Sequence, residues 1–596
     1  MDDQILWNII NSHFKDNQQR LVMHHIDSYN DFFENTIYDI FKEENPISLV
    51  SEYDEKIDDY RNKCDMYIGG KDGKRIYFGK PVLYDDNTSK YMYPNDARLR
   101  NLSYSMTIHY DVEVVFKKIL KDGEPAIVIG GEYEYTNNNS KTIDVRNQEK
   151  KEEEEEEKID AGAPRQNKKL QALNLTAMET QRLRELTEKS LKGNIQEFTM
   201  VLEKIYLGKF PIMLQSNFCV LNGLPKEIRS SFGECRNDNG GYFIIDGKEK
   251  TVVSQEKFAD NMLYIRKDNN DKYLYSAEMR SVSENVSKPK RTISIKIVAP
   301  TKTLSNLNIV VVVPQVKKPL PLFILFRALG VISDKDIIKH CLLDIDSNIK
   351  YLDLFIPSVH DSGGIFTQQM ALKYIATLTK WRTVPYVLEV LNDYLFPHIG
   401  ETTYKQKALY LGYIVKKLLK VYIGEEQPTD RDNYKYKRVE LIGSLINDLF
   451  LKYYKIQNKK IFTFLDTVLN TNKSIFENDL YGLVNLNYKN AFDKKIVEKG
   501  FKDAFKGSWG AESHTKRVGI LQDLNRLSHN SMLSHLRKTN LPLDPTAKIV
   551  GPRLLNGSQW GFFDPIDTPD GGNIGLHKHL AISTYITKGI SKEPII

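Results

Sequence analysis

The run "TNNNSKTIDVRNQEKKEEEEEEKIDAGAPRQNKK", residues 136–169, limits what this chain can fold into more than any other stretch. It is polar, charge-blocked and free of aromatics, so burying it returns too little free energy to offset the entropy of ordering it. No core can run through it. It is therefore expected to be a disordered insertion, and the chain must build its cores on either side. Its six consecutive glutamates offer a nucleic-acid-like charge density, or simply a solvated loop.

With 596 residues, the rest is too long for one hydrophobic core, so several domains are expected. Before the insertion, "LSYSMTIHYDVEVVF" alternates and is rich in β-branched residues, as a strand requires. After it, "LQALNLTAMETQRLRELTEKSLKGNIQEF" reads as helix and "KFPIMLQSNFCVL" as strand. In "GGYFIIDGKEKTVVSQE", Asp246-Gly247 between two apolar runs predicts a hairpin with a type I′ turn. "RTISIKIVAP" and "LNIVVVVP" suggest a second hairpin. From about residue 322 to 469 helical periodicity dominates, clearest in "QKALYLGYIVKKLLKVYI" and "ELIGSLINDLFLKYYKI". The fold class is multidomain α+β.

Several functions are excluded early. The four cysteines, Cys64, Cys219, Cys235 and Cys341, have no paired metal-ligand spacing, which argues against structural zinc and suits a reducing compartment. The opening residues lack a signal-peptide layout, and the longest apolar stretch, "PLPLFILFRALGVI", is short and carries Arg327; an intracellular protein with no membrane partner is expected. No G-x-x-x-x-G-K-[ST], H-E-x-x-H or G-x-S-x-G occurs, so P-loop, zincin and serine-hydrolase chemistry lack their residues.

Two stretches near the end carry more. Residues 501–560 hold nine Lys or Arg against four Asp or Glu, a local field of the sign that a phosphate backbone selects, or else a solvated basic surface. Within them "VGILQDLNRLSHNSMLSHLRK" fits helix, broken near Asn530, with Gln522, Arg526, His529, Arg537 and Lys538 on its polar face. "TNLPLDPTAKIVGPR" has three prolines and must be loop. Then "GFFDPIDTPDGGNIGLHKHL" spaces Asp564, Asp567 and Asp570 three apart, as if to hold a metal. Pro565 and Pro569 prevent the three from sharing a helix face, and calcium loops need alternate positions. Thr568-Pro569-Asp570 reads instead as a helix start with Thr568 as N-cap. No metal ligand is assigned.

The order of "ARLRNLSYS", "GKFPIMLQSNFC", "DNGGYFIIDGKEKTVVSQE", "PLFILFRALGVI", "GSWG", "LNRLSHNSMLSHLRKTNLP" and "WGFFDPIDTPDGGNIGL" resembles the second-largest subunit of multisubunit DNA-directed RNA polymerases, of the nuclear type II kind and its large-DNA-virus relatives. The resemblance covers the front half of that subunit. It implies a protrusion (1–235, then 396–456), a lobe inserted in it (236–395), a fork (457–587), and the start of a downstream region (588–596). It implies as partners the largest subunit and other polymerase subunits, template DNA, nascent RNA and the remaining C-terminal half, in the nucleus, or in virion or host cytoplasm if viral. Catalytic Mg²⁺ is then expected on the largest subunit, with no catalytic residue and no bound cofactor in this chain. Gln522, Arg526, Arg537, Lys538 and Asn573 match positions lining the nucleic-acid path, and Asp567, Thr568, Pro569 and Asp570 match the structural turn of the fork, where the family usually has Glu-Thr-Pro-Glu-Gly. The segment Leu543-Asp544-Pro545-Thr546 departs from the usual glycine and arginine, and "YKYKR" from a more glycine-like segment. A free-standing nucleic-acid-binding or regulatory protein, or a metal-dependent hydrolase using the aspartates, are the competing readings.

Overall fold

The computed structural model describes residues 3–16, 19–54, 59–85, 88–119, 195–268, 271–283, 290–300, 307–493, 495–513, 516–587 and 594–595. The insertion expected at 136–169 lies outside them. Contacts divide the chain into two compact, discontinuous units, one of residues 26–251 and 443–523, the other of 1–25, 252–442 and 524–596.

The first unit is built on an antiparallel sheet of Ile47–Asp54, Asp59–Ile68, Ser105–Ile119, Ile76–Gly79 and Ile195–Pro211. Its spine is the long pair Ser105–Ile119 and Ile195–Pro211, whose register shifts at Ile108/His109 and again at Tyr110/Val112. Alternation made the first strand legible. Of the helix expected over 170–198, residues 170–194 lie outside the described residues, and its last four belong to the second strand, in which Met200 and Leu202 are buried and Val201 and Glu203 exposed, a period of two. The expected strand in "KFPIMLQSNFCVL" ends at Pro211, after which successive turns carry the chain, one stapled by the Ser216 hydroxyl donating to the Met213 carbonyl at 2.7 Å. Helix Ile442–Thr471 lays Phe450 among Phe32, Phe41, Phe210 and Phe501, with ring centroids 5.9–6.3 Å apart, which closes the aromatic core. The hairpin Phe243–Ile245 and Lys248–Val252 forms as expected, with Asp246 and Gly247 at φ 48° and 77°, the left-handed pair a type I′ turn demands.

The second unit contains two sheets. One is an antiparallel meander, Leu263–Lys267, Tyr273–Ser281, Arg291–Val298, Ile309–Val312 and Leu320–Pro321, and includes the second expected hairpin at Ser294↔Val312. Helices Leu322–Ala328, Asp334–Leu342, Leu352–Asp361, Gln368–Leu378, Val384–Asp393 and Tyr404–Ile423 share one apolar core with it. The arginine inside the most apolar stretch is explained here. Arg327 is 1% exposed, and its guanidinium donates to Ser362 Oγ, to the Ile365 carbonyl and to Asp334 Oδ1, the last at 2.6 Å. The other sheet runs Lys437–Glu440, Ser254–Phe258, Lys538–Asn540, His577–His579, with the central pair parallel. Among the described residues no helix is long and apolar enough to cross a membrane.

Gly412 fixes how closely Tyr404–Ile423 approaches Asp334–Leu342. A Cβ at that position would stand 2.3 Å from the His340 carbonyl oxygen and 2.7 Å from its carbon, and neither backbone atom can yield locally. Gly412→Ala is therefore expected to destabilise the chain by about 1–3 kcal/mol through forced separation of the two helices. Denaturant unfolding of the full chain checks it; an unchanged midpoint contradicts the close approach.

Candidate nucleic-acid interface

The region singled out by charge and spacing is a hairpin-like excursion. Strands Lys538–Asn540 and His577–His579 pair antiparallel, Lys538 opposite His579 and Asn540 opposite His577, and residues 541–576 form the connection. Cross-strand partners share a face. Thr539 and Lys578 therefore point inward, and Lys538, Asn540, His577 and His579 point to the other side.

The inward face is charged. Lys578, 5% exposed, reaches the buried Glu256 carboxylate at 3.0 Å, and the Tyr434 hydroxyl donates to the same oxygen at 2.8 Å. Lys437, also buried, lies 3.7 Å from the second oxygen. Burial pushes the Lys578 ammonium down from its ordinary value, and Glu256 opposes that shift. Sequence reading gives Lys578 and Glu256 no role and marks Tyr434 and Lys437 only as part of the departure "YKYKR". The available signal was the alternation in "LHKHL", which turns one lysine inward between two histidines.

On the outward face Lys538 is half-buried; burial lowers its affinity for the proton while Asp567 raises it. Around it, burial and the nearby Lys538 and His579 charges hold His535 and His577 down at about 4, so both are neutral at physiological pH. Arg526 is exposed with its guanidinium on Met532 Sδ, and Asn573 is half-exposed at the end of the short 3₁₀ helix Gly571–Asn573. Gln522 belongs to the other compact unit, where its side-chain amide donates to the Gly519 carbonyl at 3.0 Å. The single helix expected over 518–538 is replaced by strand Leu521–Asp523 and helix His529–Leu536. Ser528 caps the helix by accepting from the Ser531 N–H, so Asn530 lies inside it rather than at a break.

Arg537 differs from its expected place on a nucleic-acid face. It is 6% exposed, donating to the Leu21 carbonyl at 2.8 Å and the Ala581 carbonyl at 2.6 Å. Helix His529–Leu536 ends one residue before it, which turns the side chain inward onto residues 20–25. The same junction buries His24 and His25. His25 Nε2 lies 2.6 Å from the Leu536 carbonyl, and since a carbonyl only accepts, the proton sits on Nε2 of a neutral ring. Burial first, with the Arg537 charge added, pushes His25 down to about 4 and His24 well below the ordinary histidine value.

The aspartates are engaged within the turn. Asp564 accepts from the Ile566 and Asp567 N–H groups at 2.9 and 3.1 Å, which holds its carboxyl below the usual range. Asp567 stands 3.2 Å from His579 Nδ1. The expected helix start at Thr568 is corrected: helical geometry begins only at Gly571, and Asp570 precedes it without a side-chain cap. Pro569 stops the chain earlier. Thr568 instead clasps the turn, donating to the His577 carbonyl and accepting from the Gly575 N–H, both at 2.9 Å. Among the described residues no group of three or more His, Cys, Asp or Glu is placed to hold a metal ion.

Arg553 pins the connection. Its guanidinium donates to the Gly572 carbonyl at 2.6 Å, the Ile574 carbonyl at 3.1 Å and the Pro545 carbonyl at 2.9 Å, joining the loop that carries Asn573 to the variant segment 543–546. Asp544 closes that segment by accepting from the Thr546 N–H and hydroxyl at 2.9 and 2.8 Å. Gly575 permits the contact: at φ 69° its Cβ would meet the Arg553 backbone at 2.3 Å.

Two outcomes follow from the buried junction. Arg537→Ala leaves two carbonyls without their donor and should cost about 3 kcal/mol, with Arg537→Lys less harmful and limited proteolysis near residue 20 accelerated in the alanine variant. Wild-type cleavage rates in Arg537→Ala contradict the tie. For His25 unfolding restores a pKa near 6.5 from a folded value of about 4, and for His24 the shift runs in the same direction, so the unfolded chain binds the extra protons. Stability is fully present above about 6.5 and should fall as pH drops toward 4, by up to about 1.4 kcal/mol per pH unit for each ring. Thermal melts across that window check it, with His25→Gln flattening the dependence.

Residues 20–488 match the family described as RNA polymerase beta subunit, and residues 522–586 match RNA polymerase Rpb2, domain 3. The chain is 31% identical to DNA-directed RNA polymerase II subunit 2 of Arabidopsis thaliana across 99% of its own length and 44% of the relative's. For DNA-directed RNA polymerase II subunit RPB2 of Schizosaccharomyces pombe the identity is 28%, over 99% and 43%. For DNA-directed RNA polymerase subunit Rpo2N of Methanothermobacter thermautotrophicus it is 27%, over 98% and 95%. The chain thus spans less than half the length of the plant and yeast relatives and nearly all of the archaeal one. With the larger family model covering most of the sequence and the second falling on the excursion just described, the chain belongs to the RNA polymerase beta subunit family, the second-largest subunit, and matches its N-terminal half.

Proposed function

We propose that this chain is the N-terminal half of the second-largest subunit of a DNA-directed RNA polymerase, and that it shapes the cleft in which DNA is copied into RNA. The observation that carries this is a match running the length of the chain, with the Rpb2 domain 3 model falling on the turn that Arg553 and Thr568 hold rigid. Its partners are then the largest and other polymerase subunits, the polypeptide matching the relatives' remaining length, template DNA and nascent RNA. We assign the protrusion, lobe and fork to the segments expected above, with the return to the unit that holds residues 26–251 at Gly443 rather than 396, because helix Tyr404–Ile423 shares one core with the meander.

In this reading the chain contributes positioning rather than bond making. Lys538, Arg526, Gln522 and Asn573 face template or transcript. Arg537 acts one step back, fixing the root of the hairpin that carries Lys538. Phosphate contacts of this kind set register and carry no base identity. Nucleotidyl transfer in such a polymerase draws on Mg²⁺ to activate the 3′ hydroxyl. Asp564 and Asp567 are already occupied, by backbone N–H groups and by His579, and do not fit that metal; we place it on the largest subunit.

Co-expression with a largest subunit and with a polypeptide covering the remainder of the family length tests the proposal. The expected outcome is co-elution and template-directed extension of a primer by the assembly, with none by this chain alone. A chain that stays unassembled, or that incorporates nucleotides by itself, defeats it.

A further inference from the structure

Helix Ile496–Ala504 divides its surface by charge. Val497, Gly500, Phe501 and Ala504 are buried. Lys495, Lys499, Lys502 and Lys506 are exposed, spaced by four, three and four residues. At about 100° per residue Lys499 and Lys502 stand roughly 60° apart on the side opposite the buried set, with Lys495 at the helix N-cap and Lys506 in the turn that follows. Solvent-facing helices of this kind usually mix signs along the exposed face. Here the middle of the face is of one sign, flanked by Glu498 and Asp503.

Nearby carboxylates leave much of that charge unspent. Glu498 accepts from the Tyr206 hydroxyl at 3.0 Å, at the margin of the arc. Asp246 pairs with Lys506 at 2.8 Å, and Asp503 lies beside the stripe. Lys499 and Lys502 form no ion pair among the described residues. The helix is also held rigidly. A Cβ on Gly208 would meet Glu498 Cβ at 2.7 Å, and one on Gly500 would meet the Tyr453 ring at 2.4 Å, so strand and helices approach to backbone distance on the buried side. Past its C-terminal end the surface continues into a cavity of about 430 Å³ lined by Tyr453, Asp503, Lys506, Ser508, Gly510 and Lys516. Lys516 carries the positive surface one step further.

From Lys495 to Lys502 the stripe extends about 10 Å at 1.5 Å per residue, the axial length of about three phosphates on one strand of a duplex. We propose that this stripe is a nucleic-acid backbone site, in which Lys495, Lys499 and Lys502 contact successive phosphates of one strand and the cavity at Lys506 and Lys516 receives the backbone where it leaves the helix. It lies within the segment assigned to the fork, at positions other than Gln522, Arg526, Lys538 and Asn573, and reads no base, since an ammonium on a phosphate carries no sequence information. The inference rests on the polymerase-subunit reading, but its test needs no assembly.

The full chain, its Lys495→Gln/Lys499→Gln/Lys502→Gln variant and a control with Lys42, Lys74 and Lys248 changed to Gln are titrated with fluorescent duplex DNA and single-stranded RNA across a salt series. All six lysines belong to one compact unit, and melts identify any variant that fails to fold; the single Lys499→Gln is carried as the milder version. The stripe variant should lower the slope of log affinity against log salt by about 2.7 on duplex or about 2.1 on single strand, and Lys499→Gln by about a third of that. The arm with the larger loss identifies which polymer the stripe tracks. The control should leave the slope within error. Equal losses in stripe and control, no loss in either stripe variant, or no binding by wild type at low salt overturns the proposal. Assembly with the largest subunit alongside an unmoved slope defeats the stripe alone; slope loss without assembly defeats the subunit reading and leaves the stripe standing.

Discussion

A carboxylate buried among cations organises the second sheet. Glu256 sits on the strand that pairs with Lys437–Glu440 on one side and Lys538–Asn540 on the other, and its oxygens meet Lys437 from the first neighbour, Lys578 from the strand beyond the second, and the Tyr434 hydroxyl. Removing such charges from water is expensive, and their attraction offsets the cost only when geometry and additional hydrogen bonds are good. The arrangement therefore tolerates one register. A strand slipped by one residue would turn Glu256 outward and leave two ammonium groups facing an apolar interior. Three distant stretches of chain are thereby fixed against each other, and the loops they carry inherit that precision.

What those loops present depends on second supports. Arg553 and Thr568 bind backbone carbonyls, so the shape of the 541–576 connection is set by side chains that need no outside partner. Lys538 is displayed from the strand beside it, partly desolvated and ringed by histidines that stay neutral. A partly desolvated cation interacts more strongly with an approaching anion than a fully hydrated one, because less water screens it. Within 543–546, Asp544 closes the turn and Arg553 holds Pro545.

Much of the fold was legible because its signals are local. Alternation located Ser105–Ile119, and Asp246-Gly247 gave both position and turn type. Where reading failed, the deciding partner was remote. The strand at Ile195–Pro211 takes its conformation from a ladder to residues 105–119, which draws in Ile195–Phe198, read from the sequence as the end of a helix. Around 518–538 apolar spacing suggested helix, but small polar residues offered a better start at Ser528, and the residues before it joined a sheet. At the candidate site, charge identified Arg526 and Lys538 as displayed. It could not separate them from Arg537, because whether an arginine faces water or a carbonyl depends on Leu21 and Ala581, which lie far from it in sequence. Thr568 clasps the turn rather than capping a helix, because its partners are Gly575 and His577, several residues further along the chain.

The long ladder of the first unit has one further consequence. Ile119 and Ile195 are paired neighbours at its end, so the two points between which residues 120–194 run are held side by side by bonds that do not involve those residues. Once the ends are fixed, the entropic cost of the connecting chain grows only with the logarithm of its length. Descendants of this gene are free to lengthen, shorten or recompose that span with little penalty to the fold. An engineer seeking a place for a tag or a reporter domain has the same licence.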